Sequence, residues 1–207
     1  LLGDAYADDN ETVIIPAYNG YGGDEVASDH YYACLSGDDE FEDVMVGRLP
    51  VGTYGELVAS VSKAANYMPV SGSTEWTDNI LLLGGLYYTT KDEYVALFDE
   101  YEELIPDEYE VDRIYRHDYS TDAACRSDVV AAVNDGRFMV TYVGHGSTYT
   151  WGNVLGTNHI DLFENVAKPP IVLSMTCHTG WFDNTTDPDA NGSYDCLAEQ
   201  LVVEADK

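Results

Sequence analysis

The sequence predicts an α/β fold in which helices cover both faces of a mostly parallel sheet. Three observations support this prediction. Short apolar runs alternate with segments of helical periodicity, the apolar runs carry few polar positions, and proline or glycine follows two of the helical segments. Strands that are apolar on both faces are typical of parallel sheets, because helices bury both sides of such a sheet.

The individual elements follow from the spacing of apolar residues, taken in chain order. Strands are predicted at 41–49, 80–84, 110–115, 138–143 and 171–175. Helices are predicted at 54–68, 94–104, 122–134 and 194–204. Pro106 ends the second helix, since proline cannot continue one. Thr121 and Gly136 stand at the two ends of the third helix, where an N-cap and a left-handed terminus are favoured.

Length and composition fit a single domain over residues 1–207. The chain has 207 residues, of which 45% are hydrophobic, enough to bury a core. It opens with Leu1-Leu2-Gly3-Asp4, which reads as the tail of a strand. We therefore expect the N-terminal part of the sheet to be missing or to lie on another segment.

The charge balance excludes some classes of partner. There are 38 acidic against 9 basic residues, for a net charge of −29. A nucleic-acid partner is excluded, because binding phosphates needs basic stripes. No apolar run approaches the roughly 18 residues of a membrane helix, so no membrane partner is expected. The acidic surface fits a saline habitat, bound calcium or a cationic substrate, and composition does not choose among them.

Two predicted strands each end at a chemically reactive side chain. His145 follows the strand FMVTYV, and Cys177 follows the strand IVLSM. In parallel sheets the ligand crevice lies outside the carboxyl ends of the strands. If the two strands are neighbours, their ends lie about 5 Å apart, and imidazole and thiol face each other there.

A thiol beside an imidazole can form a thiolate, which attacks carbonyl carbons. The amides of Gly146 and Cys177 can point at the oxyanion that such an attack creates. This pattern predicts acyl transfer to sulfur followed by hydrolysis, with no cofactor required for the chemistry. His178 is a rival base, ranked lower because a side chain next along the chain usually points away from its neighbour.

Two motifs and their surroundings resemble a known family. HGSTYTW, followed by LSMTCHTGWF, is similar to the gingipain-type cysteine peptidases, whose clan also holds caspases, legumains and clostripain. SDHYYACLSGDDEFEDVMVGRLP, residues 28–50, resembles the segment of that family that leads into a Gly-Arg strand end. The helix at 54–68 and CLAEQL near the end follow in the family's order, so the resemblance covers nearly the whole chain.

The resemblance implies a caspase-like three-layer sandwich and a cysteine endopeptidase. It implies that Cys177 is the nucleophile, that His145 is the general base and acid, and that the Gly146 and Cys177 amides form the oxyanion hole. In these peptidases an acidic residue orients the histidine, and Asp29 stands at the matching position. The alternative for Asp29 is a helix-capping or turn aspartate.

The resemblance also implies cleavage after Arg or Lys, with a carboxylate in the specificity pocket. Asp39 matches that carboxylate, although Asp38 and Glu40 are close enough to be confused with it. Its alternative is a solvated acidic turn. The pocket walls are expected from Val143, Met175 and either Trp151 or Trp181.

A structural calcium ion is a further expectation. Asp187, Asp189 and Asn191 form D-x-D-x-N-G with Gly192, which resembles the opening of a calcium loop. Ala198 stands where an EF-hand has its twelfth-position Glu, so this is not an EF-hand. The loop 18–29 is a second candidate.

Three functions stay open at this point. The first is a secreted, extracellular cysteine endopeptidase that acts on protein or peptide substrates, with a prosegment or a second processed chain as further partners. The second is a catalytically silent, calcium-binding adhesion or secretion-associated module on the same fold. The third is a cysteine hydrolase of another acyl group, such as an amidase.

Overall fold

The structure is a computed structural model that describes residues 1–5, 15–17, 27–67, 75–86, 92–184 and 193–203. The helices are α1 (Tyr54–Asn66), α2 (Asp92–Glu102), α3 (Asp122–Asp135) and α4 (Leu197–Val203). The strands are β1 (Asn79–Gly84), β2 (Glu110–Tyr115), β3 (Met139–Val143), β4 (Gly146–Ser147), β5 (Thr150–Trp151), β6 (Leu155–Gly156) and β7 (Ile171–Met175). Chain contacts divide these elements into two compact units, the first made of Leu1–Val61 and Gly180–Ala205 and the second containing Ser62–Thr179. The assignment of 1–207 to one domain stays a prediction.

The second unit is built on a four-stranded parallel sheet. Its strand order is β2-β1-β3-β7, and every neighbouring pair in that order runs parallel. The prediction of a parallel sheet is thus confirmed, and the four strands predicted between 80 and 175 are found with nearly the predicted bounds. β1 lies inside the sheet, and five of its six residues are buried.

The strand order also determines where the helices of this unit lie. The chain steps from β1 to β2 in one direction and returns across β1 to reach β3. Because such crossovers are right-handed, these two steps put α2 and α3 on opposite faces of the sheet. Phe98 of α2 packs with Ile80, Leu82, Tyr115 and Val143 in one buried cluster.

Local signals at both ends of α3 agree with the sequence. The Thr121 hydroxyl accepts a hydrogen bond from the Ala124 amide at 3.1 Å, which satisfies an otherwise free helical donor. Gly136 follows the helix with φ +106°, a conformation that favours glycine. The N-cap and the terminating glycine are therefore both confirmed.

A small three-stranded antiparallel sheet, β4-β5-β6, was not predicted. Each of its strands is two residues long. A two-residue strand is too short to show the alternation by which strands are recognised in a sequence.

In the first unit, the N-terminal residues run parallel to the segment that precedes α1. Leu2 and Leu49 form a parallel bridge, and the Asp4 amide donates to the Val51 carbonyl at 3.3 Å. The predicted strand at 41–49 is wrong except at this bridge. Asp43 accepts hydrogen bonds from two amides, those of residues 35 and 36, and so folds residues 35–43 into a loop that pairs with no strand in the described part of the chain.

No helix in the described ranges is both long enough and apolar enough to cross a membrane.

The first unit also buries a carboxyl group. Glu199 of α4 is 5% exposed, and its Oε2 accepts a hydrogen bond from the Cys196 amide at 2.8 Å. Burial raises the pKa of Glu199 to about 9, and the nearby carboxylates of Asp4 and Asp195 contribute in the same direction. Glu199 is therefore protonated in the folded protein at neutral pH.

We predict that Glu199 makes the protein less stable as pH rises. Its folded-state pKa lies above the ordinary value of 4.5, so the folded state binds this proton more tightly than the unfolded chain does. The resulting stabilisation is complete below pH 4.5 and is lost as pH rises through about 9. The free energy of unfolding falls by at most about 1.4 kcal/mol per pH unit in that window.

Urea denaturation at several pH values between 5 and 9 measures this slope. Glu199→Gln, which mimics the neutral carboxyl, flattens the slope relative to the parent protein. The exposed Glu108 supplies a matched control, since Glu108→Gln leaves the slope as it was. Equal slopes in the two variants would contradict the assignment.

Candidate active site

The pairing of β3 with β7 brings the two predicted catalytic residues to one end of the sheet. The strands are parallel neighbours, and Val143 pairs with Met175 as the last pair in register. His145 and Cys177 each follow two residues after that pair. Because neighbouring strands lie about 5 Å apart, the two residues lie side by side at the carboxyl end of the sheet.

Gly146 confirms how closely the two strand ends approach. A Cβ atom placed on Gly146 would lie 2.5 Å from Thr176 Oγ1 and 3.0 Å from the Cys177 carbonyl oxygen. Real Cβ atoms do not approach other heavy atoms as closely as the first of these distances. The backbone after His145 therefore lies directly against the backbone that carries Cys177, and only glycine fits there.

Cys177 begins a tight turn of the backbone. The Thr179 amide donates to the Cys177 carbonyl at 2.8 Å, and the residue between them, His178, has φ +60°. This i to i+2 hydrogen bond makes a γ-turn, a turn that is rare and strained when its central φ is positive. Within the described ranges, His178 is the non-glycine residue with positive φ, so the strain falls next to the candidate nucleophile.

The four cysteines differ in their access to solvent. All four are free thiols, of which Cys177 is exposed, Cys34 is half-buried, and Cys125 and Cys196 are buried. Burial raises the pKa of the Cys125 thiol to about 11 and raises the pKa of Cys196 further. Because thiolates are the reactive form, the buried thiols are protected, and Cys177 is the thiol a substrate can reach.

Trp151, predicted as a pocket wall, lies under the site instead of facing solvent. It is 3% exposed, and its ring stacks on Tyr142 with the centroids 5.0 Å apart. Its indole Nε1 donates to Ser174 Oγ at 2.7 Å, and Ser174 Oγ shares a hydrogen bond with Thr179 Oγ1 at 2.9 Å. These are contacts within the protein; a contact of Trp151 with substrate stays a prediction.

The sequence analysis missed Tyr142, Ser174 and Thr179, which surround the two strand ends. One signal was available, since Tyr142 and Ser174 are polar residues within largely apolar strands. A polar group in such a strand needs a hydrogen-bonding partner when it is buried.

Asp29 forms an ion pair within the first unit. Its two carboxylate oxygens accept hydrogen bonds from Arg48 Nη2 at 2.6 Å and Nε at 2.8 Å. Arg48 also donates to the carbonyls of Gly3 and Ile15 and lies over the Phe182 ring. This bidentate pair gives Asp29 a structural role in joining the N-terminal segment to 27–49, and its proposed role in orienting His145 stays a prediction.

The other predicted pocket residues occupy different settings. Val143 is buried and Met175 is 56% exposed, both at the carboxyl end of the second unit's sheet. Asp39 is exposed in the first unit, where its Oδ1 accepts a hydrogen bond from the Phe41 amide at 3.1 Å. Trp181 is half-buried in the first unit. A pocket formed by these residues stays a prediction.

The predicted calcium ligands Asp187, Asp189 and Asn191 lie outside the described residues, as does most of the loop 18–29. In the described part of the chain, no three His, Cys, Asp or Glu side chains are grouped so that they could hold a metal ion. Calcium binding therefore stays a prediction.

A family model and several known proteins match this chain. The model for peptidase family C25 matches residues 1–207. Gingipain R2 and gingipain R1 of Porphyromonas gingivalis are each 22% identical to the chain over 185 residues, which is 86% of its length. The chain spans 23% of that gingipain R2 and 17% of that gingipain R1, so it corresponds to about a fifth of the length of these curated relatives.

Two solved structures share the fold. The crystal structure of the Arg-specific cysteine proteinase gingipain R (RgpB) superimposes with a TM-score of 0.74 at 23% identity, covering 98% of this chain and 43% of that one. The complex of the Porphyromonas gingivalis RgpB pro- and mature domains gives a TM-score of 0.73 at 20% identity, covering 98% and 44%. This likeness, together with the parallel sheet, confirms the predicted caspase-like α/β fold.

The paired strands β3 and β7 place His145 and Cys177 at the same end of the sheet, and the family model matches residues 1–207. The chain therefore belongs to peptidase family C25.

Proposed function

We propose that the protein is a cysteine endopeptidase that cleaves peptide bonds after Arg or Lys. One observation carries the proposal: the β3–β7 register, which sets His145 and Cys177 at equal distances beyond a paired position. Family membership and the exposure of the Cys177 thiol support it.

In the proposed reaction, the Cys177 thiolate attacks the carbonyl carbon of the scissile bond and forms a tetrahedral intermediate. The amides of Gly146 and Cys177 donate hydrogen bonds to its oxyanion. The His145 imidazolium then gives its proton to the departing amine, the C–N bond breaks, and an acyl-thioester remains on Cys177. His145 next takes a proton from water, the hydroxide attacks the thioester, and the acid product leaves as the Cys177 thiolate and the His145 imidazolium are restored.

The acidic charge of the protein supports the proposed preference for basic substrates. A net charge of −29 attracts cationic peptides and speeds their encounter with the protein at low ionic strength. A pocket carboxylate at Asp39 would then select Arg or Lys by a charge-assisted hydrogen bond.

The remaining parts of the proposal rest on the family. We infer that the enzyme acts outside the cell and that a prosegment accompanies it. Among solved relatives, one is a complex of RgpB pro- and mature domains, which supports a prosegment partner here.

We predict that the dyad can be assigned by covalent labelling and by turnover. An acyloxymethyl ketone carrying P1 Arg labels Cys177, and peptide mapping locates the added mass on that residue. Cys177→Ala abolishes both labelling and turnover, because no other exposed thiol replaces it. His145→Ala lowers kcat by about 10²- to 10⁴-fold, as expected for the loss of a general acid–base.

His178→Asn is the matched control for the histidines, since asparagine tolerates the positive φ found at this position. It retains turnover if His145 is the working histidine. If no acyloxymethyl ketone labels the protein, whatever its P1 residue, and no small amide is turned over, the catalytically silent module is favoured. Labelling or turnover only with small amides would favour an amidase.

We predict that Gly146→Ala disables catalysis through the backbone. The new Cβ would lie 2.5 Å from Thr176 Oγ1, so the His145 loop must move away from Cys177 and the Gly146 amide leaves the oxyanion. Losing one such donor lowers kcat by about 10²- to 10³-fold.

Gly180→Ala tests whether this effect is specific. Gly180 follows Cys177 by three residues, and a Cβ there meets no atom within 4 Å. Peptidase assays and thermal melting of both variants separate a moved donor from a lost fold. Equal kcat values in the two variants would rule out the proposed contribution of Gly146.

We predict that Asp39 sets the P1 preference. Asp39→Asn lowers kcat/KM for P1-Arg peptides by about 30-fold or more, the effect of removing one charge from a paired group. The exposed neighbour Asp38 gives the control, and Asp38→Asn keeps the parent preference. A P1-randomised peptide library measures both, and a parent preference for Asp or for apolar residues would remove Asp39 from this role.

A further inference from the structure

We infer that Tyr142, Trp151, Ser174 and Thr179 act together as positioning residues for the catalytic dyad. We call these four residues the dyad clamp. The inference rests on the proposed peptidase function, and it assigns these residues a role through contacts within the protein.

The first half of the dyad clamp holds the His145 loop. The Tyr142 hydroxyl donates to the His145 carbonyl at 2.6 Å. Tyr142 is fully buried in β3, and its ring stacks on Trp151 with an interplanar angle of 13°. Because a buried, stacked ring has little rotational freedom, its hydroxyl fixes the position of the His145 carbonyl just after β3.

The second half holds the turn that carries Cys177. Trp151 Nε1 can only donate, so Ser174 Oγ accepts its hydrogen bond at 2.7 Å. The Ser174 and Thr179 hydroxyls share a further hydrogen bond at 2.9 Å. Thr179 is 3% exposed, and its amide donates to the Cys177 carbonyl at 2.8 Å. One continuous set of contacts therefore runs from the His145 carbonyl to the Cys177 carbonyl.

The turn needs such support because it is strained. A side chain with a Cβ is unfavourable in the left-handed region because it crowds the following carbonyl oxygen, and His178 occupies that region with φ +60°. Anchoring Thr179 through its side chain opposes relaxation of the turn, which would rotate the Cys177 amide and thiol. Misplacement of a reacting group by about 1 Å can cost about 10²-fold in rate.

The positioning role predicts that loss of the Thr179 hydroxyl lowers kcat and leaves KM unchanged, because Thr179 is 3% exposed and acts through the turn that carries Cys177. Thr179→Val keeps the shape of the side chain and removes the hydroxyl. It lowers kcat by about 10- to 100-fold and slows alkylation of Cys177 by iodoacetamide across the pH profile. Thr179→Ser, which restores the hydroxyl, recovers both rates.

Thr141→Val is the matched control, since it makes the same substitution in β3, outside the dyad clamp. It leaves kcat and the alkylation rate at parent values. If Thr179→Val no longer unfolds cooperatively on heating, Ser174→Ala breaks the same contact from the β7 side and is measured in its place. Rates in these variants equal to those of Thr141→Val would overturn the inference.

The alkylation measurement separates this inference from the proposed function, since it needs no peptide substrate. A parent protein that cleaves no peptide would refute the proposed function. The dyad clamp would still stand if Thr179→Val slowed the alkylation of Cys177 and Thr179→Ser kept the parent rate. It would fall if Thr179→Val also alkylated at the parent rate.

Discussion

The hydrogen-bonded pairing of β3 with β7 is the constraint on which the candidate site depends. It sets Val143 beside Met175, and every residue beyond that pair inherits the alignment. A slip of one residue would turn each side chain of one strand to the other face of the sheet. His145 and Cys177 would then no longer lie side by side at the carboxyl end of the sheet, although the sequence would be unchanged. The proposed chemistry therefore depends on the backbone register of these two strands.

Beyond the strand ends, backbone contacts continue to define the site. Gly146 packs against Thr176 and the Cys177 carbonyl, and both dyad carbonyls accept hydrogen bonds from neighbours that are buried. Each such hydrogen bond contributes about 1 kcal/mol net, which opposes the strain at His178. A small set of interior contacts can therefore hold an unfavourable turn in place, while the two reactive side chains remain exposed to solvent.

How much of the fold and of the candidate site could be predicted from the sequence depends on how far apart along the chain the interacting residues lie. The four strands of the parallel sheet and both ends of α3 follow from local patterns, because burial on both faces and capping each leave a signature within a few residues. The 41–49 segment shows the opposite case: it has the composition of a strand, but Asp43 binds the 35 and 36 amides, and among the described residues the segment pairs with another only at the Leu2–Leu49 bridge. The Asp29–Arg48 pair and the Trp151–Ser174 contact join residues about 20 positions apart, and single-sequence patterns carry no information on such pairs. The placement of His145 and Cys177 at one end of the sheet was predictable because two local patterns, each an apolar run ending in a reactive residue, met through one topological rule.

The unequal burial of the four thiols also bears on how this protein would age. Peroxides convert accessible cysteines stepwise to sulfenic, sulfinic and sulfonic acids, the last two being in general irreversible. Cys177 is exposed while Cys125 and Cys196 are buried, so oxidative damage would fall first on the proposed nucleophile. A stored sample could lose its chemistry with its scaffold untouched, and a spectrum of its secondary structure would not reveal the loss.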